Sequence, residues 1–153
     1  MNTFDHPISM IALAAFVVFT GSAMAENGAP AEKAKPLTLR SVMDKLGKDM
    51  QAVTGAISKE DWAQVAALAP QIASHAEPPL SEKVRILSWL GSDVGKFRGF
   101  DGQAHDAASA MGEAARHNDG YAVIASFAKV QQSCLGCHQS YRQPFVEHFY
   151  RSH

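Results

Sequence analysis

The sequence predicts an all-α protein, an antiparallel four-helix bundle with a C-x-x-C-H motif on its last helix. Three observations carry this. Four segments between residues 37 and 143 place apolar side chains at alternating steps of three and four, the spacing that gives a helix one buried seam. The links between these segments are short and rich in Gly, Pro, Ser and Asn, as antiparallel neighbours require. At 153 residues the chain has room for one domain with one core.

The N-terminus reads as an export signal (residues 1–25). Ile8 to Phe19 is a mostly apolar run, short for a bilayer span and suited to a signal h-region. Ala23-Met24-Ala25 then supplies an A-x-A cleavage site, making Glu26 the first mature residue. Residues 1–7 hold Asp5 and His6 where Lys or Arg is usual, so an uncleaved anchor is the alternative. Residues 26–36 lack periodicity and read as a flexible lead-in ending at Pro36, ahead of a helical domain over 37–148.

The first helix spans 37–57, with Leu39, Met43, Leu46, Met50, Val53 and Ile57 on its seam and Arg40, Lys45, Lys48 and Asp49 off it. Ser58 is expected to cap the second helix, with Asp61 three residues on. Trp62, Val65, Ala69, Ile72 and Ala76 form its apolar face, Pro70 should kink it and Pro78-Pro79 should stop it. His75 falls in its last turn, where an imidazole suits the helix dipole better than an iron. Ser81 could cap a short helix to Leu90. Gly91, Gly95 and Gly99 then predict an irregular connector carrying Trp89, Phe97 and Phe100 over the core. The third main helix runs from about Asp101 to His117 with a narrow, alanine-rich stripe, open to close approach by a neighbouring helix or a second copy. Its Met111 and His105 read as core filler and solvated face. After the Asn118-Asp119-Gly120 turn, capped by Asp119, the fourth helix runs from Tyr121 to about Gln143, and Pro144 ends it.

That last helix carries Cys134-Leu135-Gly136-Cys137-His138, the attachment signature of a c-type haem. Two thiols at this spacing can add to the two vinyl groups of one porphyrin, and the adjacent imidazole reaches the iron as proximal ligand. Cys134 and His138 lie one turn apart and share a face. Val123, Phe127, Val130, Cys134, Cys137 and Tyr141 continue one seam, so the haem should face the bundle interior. A redox disulfide would want a strand before the motif. A structural zinc would want four ligands, and His148 and His153 are too loosely spaced to supply them. Arg142, one turn after His138, either meets the haem edge or proximal pocket or is a solvated charge.

Composition excludes other classes. Formal net charge is −1, so no nucleic-acid or polybasic membrane surface is indicated, and no span remains once the signal is cleaved. No phosphate loop, Ser-His-Asp arrangement or paired-carboxylate site is present in the sequence, which argues against an enzyme. Removing residues 1–25 deletes Asp5 and leaves equal numbers of acidic and basic residues.

With the haem motif late in the chain, residues 37–145 resemble the cytochrome c-prime superfamily. The resemblance rests on Cys134-Leu135-Gly136-Cys137-His138, on Tyr141-Arg142 after it, and on Leu39-Arg40-Ser41-Val42-Met43-Asp44-Lys45-Leu46 in the first helix. It implies one covalent haem attached outside the cytoplasm, hence the bacterial periplasm. One branch of the family keeps its iron five-coordinate and binds NO or CO. The other uses a first-helix Met as sixth ligand and transfers electrons; Met43 stands at that position, with Met50 the alternative. An Arg four residues before it often meets a haem propionate in the family, whereas Arg40 stands three before Met43. The implied function is periplasmic electron transfer with redox partner proteins, the alternative gas binding. Homodimers occur in the family and are permitted here. Peroxidase-like catalysis would need a distal acid–base group that the sequence does not place.

Overall fold

The computed structural model describes residues 38–151, and the predicted signal and lead-in lie outside them. Among the described residues the protein is all-helical, with six α-helices in an arrangement compatible with a helical bundle. They are α1 (Leu39–Ile57), α2 (Trp62–Ala73), α3 (Leu80–Leu90), α4 (Val94–Arg116), α5 (Gly120–Cys137) and α6 (Gln143–Tyr150). A 3-10 turn, Gly91–Asp93, joins α3 to α4, and a π turn, His138–Arg142, joins α5 to α6. The closest packing is of α4 against α5, α2 against α4, and α1 against α2.

The buried face of α1 is rotated from the predicted seam. Val42, Asp49, Val53 and Ala56 are the buried positions. The close neighbour of α1 is α2, so the face toward α2 is the one that buries. Asp49, predicted to lie off the seam, is buried, and Lys45 Nζ donates to both its carboxylate oxygens at 2.7 and 2.9 Å. The same ammonium reaches Gln71 Oε1 at 3.2 Å and so ties α1 to α2.

Ser58 does not cap α2. It keeps helical dihedrals at the end of α1, and its Oγ donates to the Thr54 carbonyl. An N-cap needs non-helical backbone, which Asp61 has; Asp61 Oδ1 accepts from Gln64 N–H at 3.0 Å. The helix then stays helical through Pro70 and ends at Ala73, before Ala76. Ser81 does not cap α3 either: Pro79, with φ −53°, precedes its first residue and accepts from the Glu82 and Lys83 N–H groups.

The irregular connector predicted over 91–100 is largely helix. Only Gly91 has positive φ, +54°, and the chain re-enters an α-helix at Val94. Interior glycines cost about 1 kcal/mol each. Burial of Phe97 and Phe100 against Tyr141, at 5.5 and 6.5 Å between ring centroids, offsets that cost. At the α4–α5 turn Asn118 has φ +54° and Asp119 Oδ1 accepts from Ala122 N–H, the predicted cap. Gly120 is required beside it, because a Cβ there would lie 2.8 Å from the Trp62 ring.

Pro144 does not end the last helix. It sits at the start of α6, directly after the π turn. Proline lacks an N–H and its ring crowds the carbonyl four residues back, which here falls within the widened π turn. The helical path therefore runs on to Tyr150.

Two apolar clusters result. The main one joins α1, α2, α4 and α5 through small side chains around fully buried Met111, Val65, Val123 and Val130. Gly112 lets α4 approach α2 so closely that a Cβ there would meet that of Ala69 at 3.0 Å. The second, around Ile86, Leu90, Tyr141 and Phe145, joins α3, the π turn and α6. No described helix is long and apolar enough to cross a membrane.

Candidate functional site

A cavity of about 640 Å³ opens between the first half of α1 and the chain from Cys137 to Tyr150. From α1 it is lined by Leu39, Arg40, Met43 and Asp44; opposite stand Cys137, His138, Tyr141, Arg142, Phe145, Val146 and Tyr150, with Phe97 of α4 between. Its volume lies within the range of about 300–1,000 Å³ typical of small-molecule and cofactor sites, and an apolar lining with a few polar groups is their usual chemistry.

The local folding explains who stands where. His138 follows α5 without a break, its N–H donating to the Cys134 and Leu135 carbonyls. The π turn that begins at His138 brings Tyr141, Arg142, Phe145 and Val146 to the same wall. Gly136 is demanded by packing: a Cβ there would sit 2.6 Å from Phe100 Cε1, so only glycine lets α4 close on the motif. The opposite wall is held at its end by Thr38, whose N–H and hydroxyl both donate to the Glu82 carboxylate at 2.7 Å. α6 is held by Trp89 of α3, which packs on Phe145, His148 and Phe149, and by Arg85 over the Phe149 ring.

Arg40, Met43, Cys137, His138 and Arg142, far apart in sequence, thus meet around one space. Cys134 does not line it; the half-buried thiol packs against the main cluster, while Cys137 packs against the second. Met43 faces the cavity rather than the core and is 38% exposed. Met50 packs on the main cluster, and Met111 is wholly inside it. His75 Nδ1 lies 3.2 Å from the Ile72 carbonyl and His105 Nδ1 2.6 Å from that of Ala73, so both imidazoles serve the end of α2.

Electrostatics separate the chemistries. Burial pushes the Cys134 thiol up, and burial, with Cys134 and Asp101 adding to it, pushes Cys137 up to about 11. Both are thiols at neutral pH, the reverse of a redox C-x-x-C, whose function needs a thiolate. Among the described residues no group of three or more His, Cys, Asp or Glu side chains could hold a metal ion between them, so a four-ligand zinc site is not built. Burial, and then the Arg142 guanidinium, hold His138 below the usual histidine range, leaving a neutral imidazole with a lone pair to give.

Tyr150, Val146, Phe145 and Asp44 were not foreseen as wall residues. The signal was present, since Tyr141, Phe145 and Phe149 continue the helical spacing past the motif, but Pro144 reads as a stop. Tyr141 is buried, and its hydroxyl has no hydrogen-bond partner among the described residues. No family model matches the chain, and no characterised protein or solved structure does either.

Proposed function

We propose that the cavity takes one covalent haem c and that the protein is an exported, periplasmic electron carrier of the cytochrome c-prime kind. In this reading α1, α2, α4 and α5 are an antiparallel four-helix bundle with the haem between α1 and the end of α5. The observation that carries it is the convergence of His138, Cys137, Met43 and two arginines on one largely apolar cavity. Cys137, His138 and Met43 fit the group from the cavity walls, and Cys134, outside the lining, stands one helical turn before His138. Cys134 and Cys137 would form the two thioethers, His138 would give its imidazole to the iron, and Met43 would offer a soft, uncharged sulfur from the facing wall. When bound, the haem supplies one-electron chemistry at its iron.

The chain's own residues do the rest. Leu39, Phe97, Phe145 and Val146 give the cavity apolar walls against which a haem face would pack. Arg40, on the α1 side, suits a propionate carboxylate. Arg142 lines the cavity beside His138 and lowers its basicity, which suits a place in the proximal pocket. Held by Met43 and His138, a haem would have a raised potential, as suits a carrier.

The exposure of Met43 favours a second reading, in which its side chain leaves and the distal side admits NO or CO. Two measurements decide. Acid–acetone treatment of the mature protein should leave the haem with the chain; extraction into solvent sinks the proposal. Met43→Ala should turn a low-spin spectrum high-spin and give rapid CO binding to the ferrous form. A spectrum and CO affinity equal to the parent's would move the gas-binding reading ahead.

A further inference from the structure

Away from the haem cavity, the end of α2 gathers a second set of donors. The last carbonyls of a helix have no partner within it. Here two imidazoles meet them: His75 Nδ1 lies 3.2 Å from the Ile72 carbonyl oxygen, and His105 Nδ1 2.6 Å from that of Ala73. A carbonyl oxygen only accepts, so each Nδ1 carries the proton and donates. Nε2 of the neutral ring then holds a lone pair. That of His75 faces Asp101 on α4, whose Oδ1 is 3.5 Å away. A carboxylate also only accepts. Two lone-pair groups therefore point at each other, and what belongs between them carries positive charge.

The separation says which kind. A proton held between imidazole and carboxylate draws nitrogen and oxygen to about 2.7–2.9 Å. Two ligands of one tetrahedral ion, at bond lengths of about 2.0–2.1 Å, stand about 3.3–3.4 Å apart. The observed 3.5 Å lies closer to the second case. The hydrogen bond from Nδ1 to a backbone carbonyl is also the usual support of a metal-binding histidine, because it fixes the tautomer and strengthens Nε2 as a donor. The His75 side chain is 23% exposed and that of Asp101 61%, so the ring is held while the carboxylate side stays open for entry. Glu77, also near His75, is taken up by Lys83. A second imidazole–carboxylate pair differs on each count. His117 Nε2 lies 2.9 Å from Glu113 Oε1, a hydrogen-bond distance, Arg116 shares that carboxylate, and the His117 side chain is mostly in solvent.

We propose that His75 Nε2 and Asp101 Oδ1 bind one divalent first-row transition ion, of the zinc or copper class, between the α2–α3 link and α4. An imidazole with a carboxylate suits such ions better than magnesium or calcium, which take oxygen ligands. Among the described residues no third His, Cys, Asp or Glu joins the pair, so water completes the coordination and the ion exchanges readily. When bound, it ties the α2–α3 link to α4 and stabilises the folded chain. The site does not depend on the haem reading.

Calorimetric titration of the mature protein, as isolated, with zinc chloride in a non-chelating buffer near neutral pH tests this. One ion per chain is expected. His75→Ala and Asp101→Asn should each weaken binding about tenfold or more, and His117→Ala should leave it unchanged. Asp101 is exposed, so its exchange for Asn keeps the test clear of folding. No uptake at zinc concentrations up to about 1 mM overturns the proposal, as does uptake that ignores Asp101→Asn. Long-range proton–nitrogen spectra of the histidine rings give a check without substitution. On adding zinc, the His75 Nε2 signal should move while Nδ1 keeps its proton; a His75 ring that does not respond overturns the site.

Discussion

The two apolar clusters are made from different materials. Between α1, α2, α4 and α5 the core is Val, Ala, Ile and Met, with several side chains wholly out of water. Between α3, the π turn and α6 it is aromatic, no member is wholly buried, and one flank is the cavity. Small side chains interlock and need nothing else. Rings stacked on a hollow leave contacts unmade on the hollow side, and a buried Tyr141 hydroxyl without a partner among the described residues adds a cost of about 1–3 kcal/mol. The main cluster is complete in itself, whereas the second would gain its missing contacts from the haem proposed for the cavity.

The largest effect should come from denying the cavity the haem proposed for it. If Cys134→Ala with Cys137→Ala blocks attachment, amide exchange in α3, the π turn and α6 should speed up about a hundredfold or more, while α2, α4 and α5 stay protected. Uniform loss of protection along the chain would show that the two clusters do not differ in this way.

Core truncation sharpens the same contrast. Met111→Ala removes a fully buried side chain from the complete cluster and should cost about 2–5 kcal/mol whether or not haem is present. Phe145→Ala should cost much less in the haem-free protein than in the loaded one, because the loaded state alone packs both sides of that ring. Urea melts of the four combinations read this directly, and equal losses for Phe145→Ala in both states would contradict it.

Gly136→Ala probes the seam between the clusters. The new Cβ would strike the Phe100 ring, which is itself held against Tyr141, so the ring cannot retreat freely. A loss of about 1–3 kcal/mol is expected, typical of overpacking. Adding Phe100→Leu should recover part of it; if Gly136→Ala alone melts like the parent, the close approach does not exist.

The contrast also explains how much could be read from sequence. Periodicity of three and four marks any helix that buries one face, and it located α1, α2 and α5 well. It placed the α1 face one residue out, because spacing alone does not say which neighbour a helix has; Asp49 could be buried only because Lys45 sits a turn away to receive it. Cys134, Cys137 and His138 stood out because C-x-x-C-H is a specific spacing, and Cys137 and His138 line the cavity. Met43, Arg40 and Arg142 do reach the same cavity as His138; the roles expected of Met43 and Arg40 came from the family resemblance, that of Arg142 from its place one turn after His138. The second cluster was hidden by local signals that tertiary contacts overrule. Pro144 and the glycines at 95 and 99 say stop, while Phe97, Phe100 and Phe145 bury enough ring surface to keep the helices going.

The smallest effect tests that override at its source. Gly99 and Gly102 lie in the interior of α4, have no positive φ, and have nothing within 4 Å of where a Cβ would point. They fill no turn and admit no neighbour, so their only thermodynamic mark is the backbone freedom lost on folding. Gly99→Ala and Gly102→Ala should each stabilise the protein by about 0.5–1 kcal/mol, and the two should add because each acts mainly through its own backbone. The sign reverses at Gly91, whose φ of +54° an alanine would resist. Thermal melts of the three variants check both signs. A destabilising Gly99→Ala would mean that this stretch of α4 is not helical, and with it would go the placement of Phe97 and Phe100 against Tyr141.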